Sequence, residues 1–151
     1  MTMALRLYLD TSVFSAYHDD RMPERQRETL EFWLRLDEFI VSTSDLARQE
    51  LAQATDLVLR AKLLQLLDRV VIHPVTDEMT ALARRYVGRG IFSPVMLNDA
   101  IHVAAAVVSD QDVLLSWNFR HLVNRRRRAE INALNASAGL RTVEILAPSE
   151  M

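Results

Sequence analysis

The stretch VMLNDAIHVAAAVV, residues 95–108, places apolar side chains on every side of a predicted helix instead of along one stripe. Ser93 followed by Pro94 supplies an N-cap and a proline at the first helical position, so the helix is predicted to begin there. A helix that is apolar all round belongs in the interior of a protein. Asp99 lies within it, and a carboxylate removed from water needs a partner. His102, three residues later, is one candidate, and a site shared with other acids is the second.

Strands and helices alternate on both sides of this helix. Predicted strands cover residues 5–9, 39–41, 70–72, 113–116 and 141–145. Predicted helices cover residues 23–38, 56–67, 76–87 and 93–108, with further helices around Glu50 and between the last two strands. This alternation predicts an α/β fold of three layers, in which helices cover both faces of a central, mostly parallel sheet of four to five strands.

Length and composition indicate one ordinary globular domain over residues 1–151. Hydrophobic residues make up 50% of the chain and charged residues 25%, which argues against disorder. The chain has no cysteine, and its four histidines lie too far apart for a short zinc motif, so any metal is expected to be oxygen-bound. Neither a signal-peptide pattern nor a membrane-spanning apolar run is evident, and the expected location is the cytoplasm.

The net charge of −2 argues against a protein that coats nucleic acid generally, because affinity for phosphate backbones comes from clustered positive charge. Contact with RNA would therefore be local. The run Arg125, Arg126, Arg127 and Arg128 is one place for phosphate contacts, although such a run is more often a solvated helix face. Folds that bind nucleotides through glycine-rich loops are excluded, since the chain has only three glycines.

Two further acids stand near the ends of predicted strands. Asp10 comes directly after the first strand, and Glu50 lies on the helix that follows the second. The carboxyl ends of strands in an open α/β sheet border the ligand crevice, so Asp10, Glu50 and Asp99 are expected to converge. Close carboxylates repel one another unless they share a proton or a cation, and oxygen donors select magnesium or manganese. Asn118, just past the fourth strand, is expected at the same rim as a neutral ligand or as a group that orients a metal-bound water.

Four pieces of sequence resemble a known family. They are YLDTS at 8–12, Glu50 in its helix, NDAIHVAAA at 98–106 and LLSWN at 114–118. In this order they resemble the PIN-domain family, particularly the VapC-like ribonuclease toxins of type II toxin-antitoxin systems, and the pattern spans residues 5 to about 124. The resemblance implies a PIN-like fold and a metal-dependent endoribonuclease in which Asp10, Glu50 and Asp99 bind one or two Mg²⁺ ions, with Mn²⁺ as the alternative metal.

The resemblance also implies supporting residues and partners. Ser12 and Ser116 stand where the family usually has serine or threonine, whose hydroxyl orients a carboxylate or a water. Asn118 stands where the family often has aspartate, which implies weaker binding of a second metal. VapC-like proteins are typically homodimers neutralised by a cognate antitoxin, so a second copy and an antitoxin are the expected partners.

The implied reaction is hydrolysis of an RNA phosphodiester bond by a water that the metal activates and aligns with the phosphate. Asp10 and Asp99 are the first choices as direct ligands, and Glu50 is either a ligand through water or the base that receives the proton. The alternative is a non-catalytic PIN-like module that binds RNA or protein after losing tight metal binding. Asn118 is the feature that keeps this alternative open.

Two interpretations concern side chains outside the predicted metal site. Apolar surface around Phe14, Tyr17 and the helix containing Trp33 exceeds what one sheet covers and suits an amphipathic partner segment. His102 is interpreted as a satisfied core histidine, and His121 has no assigned role.

Overall fold

The computed structural model describes residues 3–151 and contains one sheet of five parallel strands. The strands are β1 (Arg6–Leu9), β2 (Ile40–Ser44), β3 (Val71–His73), β4 (Val113–Leu115) and β5 (Glu144–Leu146). Their order across the sheet is β3-β2-β1-β4-β5, so β1 is central. Leu7 of β1 pairs with Val41 on one side and with Val113 on the other. Because every pairing is parallel, the carboxyl ends of all five strands meet at one edge.

Helices cover both faces of the sheet. Residues 3–151 contain α1 (Thr11–Ser15), α2 (Pro23–Trp33), α3 (Asp45–Leu51), α4 (Leu57–Leu66), α5 (Asp77–Gly88), α6 (Leu97–Val108) and α7 (Arg125–Ser137). One apolar cluster packs α5, α6 and α7 against one face, and a second packs α1, α2 and α4 against the other. Tyr8 belongs to the first cluster and its neighbours Leu7 and Leu9 to the second, as the alternation of a strand requires. The predicted three-layer α/β fold is confirmed.

The start of α6 differs from the prediction. Pro94–Met96 forms a 3-10 turn ahead of the helix, and Val95 is 94% exposed. The apolar pattern misled here because residues in a preceding turn do not share the helix's burial against the sheet. From Ala100 onward α6 is mostly buried, as predicted, and its alanines let it lie close to the strands.

The helix predicted over residues 23–38 is also shorter. It ends at Trp33, and the 3-10 turn Leu36–Glu38 follows. The expected surplus of apolar surface is wrong, because Phe14 and Trp33 are both buried, with their ring centroids 5.4 Å apart, against the second face of the sheet. Within residues 3–151, no helix combines the length and the hydropathy needed to cross a bilayer.

Candidate active site

Asp10 lies at the carboxyl end of β1 and caps α1, because its Oδ1 accepts the Ser12 N–H at 3.0 Å. Both carboxylate oxygens are also held by hydroxyls. Ser12 Oγ donates to Oδ1, and Ser116 Oγ donates to Oδ2 at 2.6 Å. These hydroxyls in turn accept the backbone N–H groups of Trp117 and Asn118, so their own protons are directed at Asp10.

Burial sets the electrostatics of Asp10. The residue is 5% exposed, and removal from water raises the pKa of its carboxyl. Attraction to His102 and the hydrogen bonds from Ser116 and Ser12 lower that pKa, but the effect of burial prevails. The ionised carboxylate would therefore be stabilised by a further positive charge at this edge of the sheet.

Glu50 reaches the same edge from α3. Its Oε1 accepts hydrogen bonds from Thr11 Oγ1 and from His102 Nε2, each at 2.6 Å. Burial alone would raise the pKa of this half-buried carboxyl, but His102, Thr11 and Asn98 together outweigh burial and place the pKa below its ordinary value. Glu50 is therefore ionised at neutral pH and connects α3 to the residue that follows Asp10.

A buried polar chain supports Glu50 from the interior. His102 is 2% exposed, and its Nδ1 lies 2.7 Å from the Tyr8 hydroxyl, which lies 2.7 Å from Ser44 Oγ at the end of β2. Burial raises the pKa of Tyr8, so its hydroxyl remains protonated. When Nε2 carries the proton toward Glu50, Nδ1 accepts from Tyr8. The interpretation of His102 as a satisfied buried histidine is confirmed.

Asp99 does not pair with His102, contrary to the first interpretation of that helix. His102 points toward the sheet, whereas Asp99 in the first turn of α6 is partly exposed and its Oδ2 lies 3.1 Å from His121 Nδ1. Through this contact with His121, Asp99 faces the loop after β4.

Asn118 belongs to that same loop and shapes it. Its Oδ1 accepts the His121 N–H at 2.9 Å, and its own N–H donates to Ser116 Oγ at 2.9 Å. The amide oxygen predicted to serve a metal is therefore engaged in holding His121 opposite Asp99. One lone pair of that oxygen remains for another donor or a cation.

A divalent metal such as Mg²⁺ needs several oxygen donors around one point. No group of three or more His, Cys, Asp or Glu side chains within residues 3–151 is arranged to hold a metal ion. The donor chemistry nevertheless fits Mg²⁺ or Mn²⁺, because Asp10, Glu50 and Asp99 supply only carboxylate oxygens at one edge of the sheet. Their role as metal ligands stays a prediction.

A groove of about 540 Å³ opens beside Glu50, between the end of α1 and the α3–α4 pair. Its floor is apolar, with Leu51, Leu59 and Leu63, and its rim is charged. The rim residues include Asp19, Asp20 and Arg21. Solvent and a ligand can therefore approach the carboxyl edge from this side.

The family model for the PIN domain matches residues 7–127. The chain belongs to the PIN domain family. Structures with similar folds include the VapC20 toxin of Mycobacterium tuberculosis, described as cleaving the sarcin-ricin loop. That toxin shares 16% identity and a TM-score of 0.62 with this PIN domain, over 91% of this chain and 98% of the toxin. Among curated proteins, none matches the sequence significantly.

Two complexes have similar folds as well. VapBC2 of Rickettsia felis, bound to a DNA fragment from its promoter, matches with 14% identity and a TM-score of 0.57, over 93% of this chain and 97% of that chain. A toxin-antitoxin complex of Klebsiella pneumoniae matches with 15% identity and a TM-score of 0.56, over 76% of this chain and 88% of that chain. These likenesses describe the fold of this PIN domain.

Sequence reasoning missed several residues at this edge. The sequence predicts Tyr8 only as part of a strand and Ser44 only as part of a helix start. It predicts Thr11 as a helix cap with a second role at the site, and it assigns no role to His121. A usable signal was present for Tyr8, because a phenol in a fully buried strand needs a hydrogen-bond partner. Contacts of Thr11 and His121 depend on which elements become neighbours, and no local pattern reports that.

Proposed function

We propose that this PIN domain is a metal-dependent endoribonuclease that hydrolyses RNA phosphodiester bonds. The observation that carries the proposal is the buried, raised-pKa carboxylate of Asp10, placed at the carboxyl end of the central strand beside the hydrogen-bonded Glu50–His102 pair. Membership of the PIN domain family supports it, as does the similar fold of an RNA-cleaving toxin. Acids gathered where strands end are typical of catalytic sites in α/β proteins.

Asp10 and Asp99 are proposed as direct ligands of Mg²⁺ or Mn²⁺, and Glu50 as a third carboxylate toward the same ion. When bound, such a metal lowers the pKa of a coordinated water and neutralises charge on the phosphoryl oxygens. Ser12 and Ser116 hold the Asp10 carboxylate in one orientation, and Thr11 and His102 do the same for Glu50. The lowered pKa of Glu50 favours a ligand role over that of a base at neutral pH.

The test is cleavage of a mixed RNA pool by the purified protein with Mg²⁺ and then with a chelator. We expect fragments only with the metal, and none from Asp10→Asn under either condition. The matched control is Asp68→Asn, which removes an exposed acid at the opposite edge of the sheet, in the turn before β3. Cleavage by Asp10→Asn at the rate of the control would contradict the proposal.

A second candidate is a PIN-like module that binds RNA or a protein without catalysis. The absence of a formed three-ligand group within residues 3–151 and the engagement of Asn118 in its loop favour this candidate. RNA binding by the parent protein without fragments at any Mg²⁺ or Mn²⁺ concentration would support it over the nuclease.

We further propose that the chain pairs with a cognate antitoxin and forms a homodimer. Similar folds occur in VapBC and toxin-antitoxin complexes, which supports a protein partner. The groove beside Glu50 offers an apolar floor of Leu51, Leu59 and Leu63 to such a partner. Light scattering of the purified chain tests the dimer, and co-purification with a co-expressed candidate antitoxin tests the protein partner.

A further inference from the structure

Two aromatic rings and an arginine form a cluster on the other flank of the candidate active site. The Arg25 guanidinium lies 5.2 Å from the centroid of the Trp117 ring and 5.9 Å from that of Phe119. The two ring centroids are 6.0 Å apart at an interplanar angle of 67°. Trp117 is buried, whereas Phe119 is 47% exposed. The cluster of Arg25, Trp117 and Phe119 therefore presents one aromatic ring and one cation to solvent.

Hydrogen bonds hold this cluster in place. The Trp117 indole N–H donates to Thr29 Oγ1 at 2.9 Å, and Thr29 Oγ1 donates to the Arg25 carbonyl on the same helix at 2.7 Å. The Phe119 N–H donates to the Trp117 carbonyl at 3.0 Å, which makes a tight turn. The backbone of Phe119 is thus anchored to α2 through Trp117.

The cluster is attached directly to the carboxyl edge. Ser116 Oγ donates to Asp10 at 2.6 Å, and the Trp117 N–H donates to Ser12 Oγ, which also holds Asp10. Phe119 follows Ser116 by three residues, so its backbone lies within about 10 Å of this contact. Phe119 is therefore within reach of an RNA strand bound at Asp10.

A purely structural role does not account for both exposed groups. Within residues 3–151, the Arg25 guanidinium donates no hydrogen bond and lies within ion-pair distance of no carboxylate, although it is half-buried. All of its N–H donors remain available, which suits an anion such as phosphate. About half of the Phe119 ring stays in water, and each Å² of apolar surface left exposed forgoes about 25 cal/mol of stabilisation.

We propose that Phe119 stacks on a nucleobase beside the cleaved phosphate and that Arg25 binds a neighbouring phosphate of the same strand. This inference rests on the proposed ribonuclease function and deepens it by assigning Phe119 and Arg25 as the residues that contact a base and a phosphate of an unpaired stretch of RNA. A base inside a duplex is already stacked on both faces, whereas an unpaired base offers a free face to an aromatic ring. Stacking tolerates any base, so the cluster selects strandedness and position along the strand.

The test uses the Asp10→Asn protein in chelator, which removes cleavage from the measurement. The probe is a short single-stranded oligouridylate with one 2-aminopurine, whose fluorescence falls when its base stacks. We expect Phe119→Ala to abolish the quenching and to weaken binding by roughly 5- to 150-fold, which corresponds to a stacking energy of about 1–3 kcal/mol. Phe119→Tyr should restore both quantities, and Phe119→Leu should not. Equal binding by Phe119→Leu and the parent would overturn the stacking role.

Two further arms complete the design. Arg25→Gln should flatten the slope of log affinity against log salt by roughly 0.7, because one contact to a single strand is lost. Arg84→Gln, which removes an exposed arginine on α5, should leave the slope unchanged. The same oligonucleotide annealed to its complement should bind parent and Phe119→Ala equally weakly. Leu34→Ala, which removes a leucine that is 86% exposed just after α2, is the control for lost apolar surface.

Failure of this proposal can be distinguished from failure of the proposed ribonuclease function. Quenched fluorescence in a protein that never cleaves RNA would uphold the stacking surface and contradict the nuclease. Suppose instead that the parent protein cleaves RNA and that Phe119→Ala leaves RNA affinity unchanged. This result would uphold the nuclease and overturn the stacking proposal, and the cluster would then suit a protein partner.

Discussion

Asp10 is a buried carboxylate whose pKa is raised in the folded protein, so its charge opposes folding at neutral pH. The protonated Asp10 carboxyl contributes to the free energy of unfolding. This contribution is fully present below the carboxyl's pKa in the unfolded chain, about 3.9, and it is lost as the pH rises through the pKa in the folded protein. We therefore expect Asp10→Asn to melt at a higher temperature than the parent at neutral pH in chelator. The difference should shrink toward about pH 4 and be absent from Asp68→Asn. A variant less stable than the parent at neutral pH would contradict this account.

His102 joins two partners through its two nitrogens, Glu50 through Nε2 and Tyr8 through Nδ1. Glutamine reaches about as far as Nε2 and asparagine about as far as Nδ1. We expect both variants to lose about 1–3 kcal/mol of stability, because each leaves a buried polar group without its partner. His102→Gln should keep more RNA cleavage than His102→Asn, since it still orients Glu50. Equal cleavage by the two variants would show that the contact with Glu50 is not used in the reaction.

Asn118 has one amide oxygen engaged by the His121 N–H. In Asn118→Asp, one carboxylate oxygen can keep that hydrogen bond while the other adds charge at the rim. We expect this variant to bind Mg²⁺ more tightly, because a carboxylate replaces a neutral amide. Calorimetric titration with Mg²⁺ checks it, and unchanged affinity would mean that residue 118 faces only its own loop.

At the scale of elements, the arginine run at the start of α7 divides into two pairs. Arg127 donates to the His121 carbonyl at 2.7 Å and lies 4.8 Å from the Phe92 ring centroid, and Arg128 donates to the Ile145 carbonyl at 3.0 Å. Arg125 and Arg126 are exposed, and among the residues that the structure describes Arg126 bonds only to Glu130, on its own helix. The run is therefore half structural, which neither interpretation of the sequence described.

Because the arginine run divides into two pairs, we expect different effects from replacing each pair. We expect Arg127→Gln to lose about 1–2 kcal/mol of stability through its carbonyl and aromatic contacts, and Arg125→Gln to lose none. Replacing Arg125 and Arg126 together by glutamine should leave the melting temperature unchanged while flattening the salt dependence of RNA affinity. An unchanged salt dependence would make this half of the run a solvated face only.

For the molecule as a whole, binding of a metal ion should increase the stability of the folded protein. A ligand that binds only the folded state adds about 2.7 kcal/mol at one hundred times its Kd. We expect Mg²⁺ to raise the melting temperature of the parent and to do so far less in Asp99→Asn. In chelator this variant loses only a partly exposed contact with His121, worth about 0–1 kcal/mol. A parent indifferent to Mg²⁺ and Mn²⁺ would contradict the metal site.

Local chemistry made much of this molecule predictable. Strand and helix periodicity reports which residues face the interior, and parallel strands bring their carboxyl ends to one edge whatever their order. Asp10 at the end of β1 and Asp99 in the buried α6 could therefore be selected from sequence. Boundaries were less predictable, as at Val95, because a turn and a helix start share the same composition.

The alternation of strands and helices, the layers and the acids at the strand ends could be inferred from the chain alone, since each depends on residues close along the chain. The contacts of His102 with Glu50 and of Asp99 with His121 follow from how α6 packs beside α3 and the loop after β4. The packing of α2 beside the loop after β4 likewise brings Arg25 next to Phe119, which lies 94 residues further along the chain. The physical reason is that helix periodicity sets the direction of a side chain, whereas its partner is set by which elements pack together.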